Sequence, residues 1–109
     1  MKAEKLEVGN IIFRAYISPR DMSLELYQYE VLATYKSLGK SVAILSRQGV
    51  RPTEYSDDSV YSTLKFGWNQ EEAVRNALEE LEEAVKEKEN ELTLYKEALE
   101  KFRNHSGLR

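Results

Sequence analysis

The chain contains no cysteine. That absence excludes disulfides, Cys-ligated zinc, iron–sulfur clusters and a thiol nucleophile, and it fits a reducing cytosol. There is one histidine, His105, at the head of HSGLR, an end expected to fray. A general base needs a positioned partner and a pocket, and a frayed tail offers neither. Long hydrophobic runs are also missing. The N-terminal stretch MKAEKLEVGNIIF has only a three-residue apolar run before Arg14, so neither a signal peptide nor a membrane span is expected. Positive charge is not in excess, with a net charge of −3. Residues 1–68 hold nine Lys or Arg against eight Asp or Glu, and residues 69–109 hold seven against eleven. Neither half has the basic surplus that duplex nucleic acid demands, and the acidic half disfavours anionic membranes.

Chemical motifs are equally sparse. Leu38-Gly39-Lys40-Ser41 has the ending of a P-loop, but Thr34 stands where the motif needs its first Gly. The setting is also strand–turn–strand, so the segment reads as a hairpin turn. Glu54, Asp57 and Asp58 do not have EF-hand spacing, and adjacent carboxylates point apart, so they read as a solvated loop. No Gly-x-Ser-x-Gly or Ser-x-x-Lys motif occurs in a suitable setting. The expectation is a non-catalytic protein without metal or cofactor.

What the sequence does have is a heptad. Val74, Leu78, Leu81, Val85, Lys88, Leu92, Tyr95, Leu99 and Phe102 follow one another at steps of 4, 3, 4, 3. Only Lys88 is not apolar. The repeat specifies a helix of about 35 residues, roughly 50 Å long. Asn69 suits an N-cap, Glu72 has capping-box spacing, and Glu71 and Glu72 favour the positive end of the helix dipole. Leu78, Val85, Leu92 and Leu99 take position a; Val74, Leu81, Lys88, Tyr95 and Phe102 take d. Ala77, Ala84 and Ala98 occupy g positions and widen the apolar face. The repeat stays in phase past Asn90 with no Gly or Pro, which disfavours a helical hairpin. The first 68 residues are too few to cover a helix of this length. The stripe is therefore assigned to self-association, with packing on its own domain or in a groove of an unrelated partner as the alternatives.

Residues 9–17, 24–36 and 41–46 read as strands from their alternating and β-branched or aromatic residues. On the second of these, Tyr27, Tyr29, Val31, Ala33 and Tyr35 are placed on one face. Residues 47–59, containing Gly49 and Pro52, read as a loop, and residues 60–68 as a short fourth strand. The predicted fold is α+β: a small antiparallel sheet or curled barrel of three to five strands (1–68), one long coiled-coil-like helix (69–105) and a frayed tail (106–109).

Six of the seven tyrosines and the single Trp68 fall in the strand domain. Tyrosine fills strands well, and it also offers apolar area with a polar tip to partners. Tyr27, Tyr29, Tyr35, Arg47, Arg51 and Tyr55 are accordingly candidate partner-binding residues. The leading expectation is a homo-oligomeric, cytoplasmic module that presents this face, or the 47–59 loop, to another protein. The alternative is a binder of nucleotide or single-stranded nucleic acid using the tyrosines with Arg14, Arg47 and Arg51.

The run Trp68-Asn69-Gln70-Glu71-Glu72-Ala73 after a set of short strands resembles small proteins of phages and mobile elements. These carry an SH3-like or similar small barrel followed by a charged helix. The resemblance implies action by binding: inhibiting or redirecting a host protein, or sequestering a signalling nucleotide. It assigns no role to any individual residue.

Overall fold

A computed structural model describes residues 1–58 and 65–103. The chain divides into two compact units, Met1–Leu78 and Glu79–Arg109. After a one-turn 3₁₀ helix at Ala3–Lys5 come four strands: β1 (Ile11–Ser18), β2 (Ser23–Ser37), β3 (Lys40–Arg47) and β4 (Val50–Ser56). A single helix, α1 (Gln70–Phe102), follows. The strands form one antiparallel sheet in the order β1-β2-β3-β4, so the fold is α+β. The sheet is open rather than a closed barrel.

The turns explain the meander. Leu38 (φ 52°) and Gly39 (φ 78°) both take positive φ between β2 and β3. That is the type I′ pattern that matches strand twist, and Gly39 supplies one half of it without steric cost. Two irregularities then set the faces. In β2 the pairing shifts between Val31 and Ala33, which inserts Leu32 as an extra residue. In β4 the shift falls opposite Leu45 to Arg47, so Arg51 and Pro52 sit in the bulge of an edge strand. An edge bulge is where a sheet tolerates proline.

β4 corrects the expectation of a loop at 47–59. Most of the predicted strand at 60–68 lies outside the described residues, as do His105 and the tail at 106–109. Of that stretch, residues 65–68 are described, and Gly67 is the one that forms a bridge. It pairs with the outer edge of β1, exchanging two 2.8 Å hydrogen bonds with Phe13.

The core of the first unit lies on one face of the sheet. Ile12, Tyr29, Val31, Ala43, Leu45 and Tyr55 are buried there with Ala3, Leu6 and Phe66. Phe66 stands edge-on to both Tyr29 and Tyr55, with ring centroids 5.3 and 5.2 Å away. The Tyr55 hydroxyl donates to the Met1 carbonyl at 2.6 Å, and the Ala3 N–H donates to Asp57 Oδ1 at 3.1 Å, pinning the N-terminal segment over the core. Burial pushes the Tyr55 phenol pKa up.

On the opposite face, Ala73 and Ala77 of α1 bury against Ala15, with Phe13, Ile17 and Val74 around them. The small alanines let the helix approach β1 closely. Asn69 caps α1, its Oδ1 accepting the Glu72 N–H at 2.8 Å. The Asn76 side chain donates to the Lys65 carbonyl at 3.0 Å and fixes the segment entering the helix.

Gly67 is the tightest point. A Cβ there would meet the Ala73 backbone N at 2.6 Å and Glu72 at 3.0 Å. Gly67→Ala is therefore expected to cost about 1–3 kcal/mol, the usual range for overpacking. Urea unfolding followed by circular dichroism checks this; a loss below about 0.5 kcal/mol would mean the helix start yields freely.

Candidate functional site

Two regions gather the residues singled out by sequence. The first is the heptad stripe. Its first member, Val74, is not available to a partner along its whole side chain, because it packs beside Ala15 within the first unit. Leu78 lines an open hollow of about 470 Å³ with Leu26, Val74 and Arg75. In the second unit, Val85, Leu92, Tyr95 and Leu99 are 50, 53, 68 and 57% exposed. Among its described residues the unit is one helix, and one helix has nothing within itself to bury a stripe against. Leu81 is half-buried, and Phe102 is 49% exposed beside Lys101. Lys88 reaches Glu91 at 3.5 Å, one turn along. Both side chains are largely in solvent, so the pair contributes little.

The second region is on the core face of the sheet, where the buried cluster gives way to charge. The register brings Arg14 opposite Tyr27 and Tyr16 opposite Glu25, two residues on from the Ile12–Tyr29 pair. Arg47 at the end of β3 and Arg51 and Thr53 of β4 complete the group. These residues, with Tyr29 and Val50, line a cavity of about 310 Å³. The Arg47 guanidinium carbon sits 4.1 Å from the Tyr27 ring centroid and 5.9 Å from that of Tyr29. The Arg14 guanidinium lies 6.0 Å from the Tyr16 ring. These are cation–π distances, and they hold two guanidiniums in place without neutralising them. The Tyr27 hydroxyl donates to Glu25, which pushes the phenol pKa up, while Arg47 pulls it down.

No protein-family model, no curated protein and no solved structure matches this chain.

The six partner-binding candidates thus separate. Tyr27, Arg47 and Arg51 converge on the cavity, and Tyr29 forms part of its floor while being 92% buried from solvent by its 8% exposure. Tyr55 is 2% exposed and belongs to the core, so it is not a contact residue. Tyr35 lies on the other face: the Leu32 bulge reverses the alternation, and Tyr35 pairs with Val42 and donates to Glu54 at 3.1 Å. Tyr16 and Thr53 were not among the candidates. Tyr16 could have been found from its i+2 spacing to Arg14. Thr53 carries no signal of its own. Asp57 and Asp58, considered as metal ligands, are engaged elsewhere, by the Ala3 N–H and by Lys40. Among the described residues no helix is long and apolar enough to cross a membrane.

Proposed function

We propose that the chain is a non-catalytic, homo-oligomeric binding module that associates through the heptad face of α1. The observation that carries this reading is the exposure of Val85, Leu92, Tyr95 and Leu99 on a helix of 33 residues whose only buried members are Ala73 and Ala77. An isolated helix of mixed polar composition is marginal in water. Burying its stripe against an identical stripe removes that weakness, because the 4, 3 spacing is self-complementary.

Magnitudes favour a dimer of moderate affinity. Finishing the burial of a half-exposed aliphatic or aromatic side chain contributes about 1 kcal/mol. Eight such side chains in a pair supply about 8 kcal/mol, and helix stabilisation adds to that. Association itself costs about 4–15 kcal/mol. The balance places assembly within the range where concentration decides the state. A dimer would also carry two sheets, so a partner with repeated sites would be held by avidity. The resemblance to small phage and mobile-element proteins agrees with action by binding.

Light scattering on a sizing column, over a wide concentration range, tests the reading. A mass that rises from 12.7 kDa to twice that value supports it; a mass of 12.7 kDa at every concentration overturns it. Lys88→Leu provides a second check. It replaces the one charged seam residue and loses only an exposed ion pair. The variant is expected to melt at a higher temperature and to dimerise at lower concentration. A clear fall in melting temperature would mean that Lys88 makes a specific polar contact in the assembly.

A further inference from the structure

The lining of the cavity on the core face has a definite chemical character. It offers three guanidiniums, from Arg14, Arg47 and Arg51, and no carboxylate. Among the described residues none of the three lies within ion-pair distance of an acidic group. Unpaired positive charges gathered at one concavity raise the local concentration of anions. Guanidinium groups also recognise phosphate in a planar, bidentate manner that lysine cannot reproduce.

The second component is aromatic. Tyr16 is 50% exposed, and the Arg14 guanidinium carbon lies 6.0 Å from its ring centroid. The Arg47 guanidinium carbon lies 4.1 Å from the Tyr27 ring centroid, which offers a guanidinium as a second group for stacking. Bases stack on tyrosine rings and on guanidinium planes alike. The cavity, at about 310 Å³, is at the small end of ligand pockets, which suits one compact unit rather than an extended surface. Thr53 adds a hydroxyl able to donate or accept. Glu25 is the nearby acidic group, held by the Tyr27 hydroxyl outside the lining. It would oppose a ligand of diffuse negative charge more than one whose phosphate sits on the far side, toward Arg51.

We propose that the cavity between Arg14, Tyr16, Arg47 and Arg51 binds a nucleotide unit, with phosphate on the guanidiniums and the base stacked on Tyr16 or Arg47. The unit can come as a free nucleotide or as part of a single strand. The site lies wholly in the Met1–Leu78 unit, so it stands whether or not α1 self-associates.

The full chain is titrated with adenosine monophosphate by calorimetry, and with a short fluorescein-labelled oligothymidylate by anisotropy. Saturable binding of either supports the site. Binding of the mononucleotide identifies a free ligand. Binding of the oligomer alone, falling log-linearly with salt, identifies a single strand. Arg51→Ala, at an exposed position, and Arg14→Gln are each expected to weaken binding about tenfold or more. Tyr16→Ala is expected to weaken it about fivefold or more, and Tyr16→Phe to restore it. Circular dichroism melts verify that these variants are folded. The proposal is overturned by no binding in either arm, by binding indifferent to Arg51 and Arg14, or by equal affinity for polyphosphate, which has no base.

Discussion

Phe66→Ala is expected to remove about 3–5 kcal/mol of stability from the Met1–Leu78 unit, a large share of what a small unit has. Phe66 is 1% exposed. It stands between Tyr29 of β2 and Tyr55 of β4, edge-on to each. One ring therefore joins two strands that are not neighbours in the sheet. Its loss removes the transfer free energy of a whole side chain and both edge-to-face contacts, and leaves a void that the rigid sheet cannot close. The effect reaches the cavity as well, because Tyr29 is both a neighbour of Phe66 and part of the lining. The variant should then show lower ligand affinity even where it remains folded. Urea unfolding followed by Trp68 fluorescence and circular dichroism measures the loss. A cost below about 1 kcal/mol would mean that Phe66 sits in a pocket able to collapse, and that the sheet face is looser than its burial implies.

The Phe66 role illustrates what could be read from the residues alone. β1, β2 and β3 were legible within one or two residues, because their alternation is dense and their turns contain Pro19, Asp21 and Gly39. The start of α1 was legible for a local reason too: Asn69 and Glu72 carry the cap in four consecutive residues. β4 was hidden because Val50-Arg51-Pro52-Thr53-Glu54-Tyr55 has no apolar alternation. Its outer side is an edge and one of its inner positions is the polar wall of a cavity. A strand of that kind is held by its pairing with β3 rather than by its own hydrophobicity.

The candidate site was half legible. Arg14, Arg47 and Arg51 could be grouped with tyrosines by type, but which tyrosines share their face depends on register. The bulge at Leu32 is an extra residue in the pairing of β2 with β3, and nothing in LELYQYEVLATYK marks it. It turns Tyr35 away from Tyr27 and Tyr29. Burial is the other quantity that composition does not carry. Tyr29 and Tyr55 look like Tyr16 and Tyr27 in sequence, and differ only in how much of the N-terminal segment and Phe66 lies over them.

Leu92→Glu is expected to abolish self-association at concentrations where the unaltered chain is dimeric, while Leu94→Glu leaves it intact. The comparison is sharp because the two leucines are nearly alike in the single chain. Leu92 is 53% exposed and Leu94 is 64% exposed, and both are on the same turn of α1. Glutamate is as good a helix former as leucine, so neither change weakens the helix itself. Only their heptad positions separate them: Leu92 takes a, in the stripe, and Leu94 takes c, outside it. In a symmetric pair every substitution is made twice. Leu92→Glu therefore removes two apolar contacts and brings two carboxylates into the seam, where desolvation and mutual repulsion both act. The combined cost is about 4 kcal/mol, or roughly a thousandfold in dissociation constant. Sedimentation equilibrium of the two variants beside the parent reads it directly. Equal loss of assembly in both would show that α1 associates through general hydrophobicity rather than through its heptad. No loss in either would move the contact between copies away from the stripe altogether.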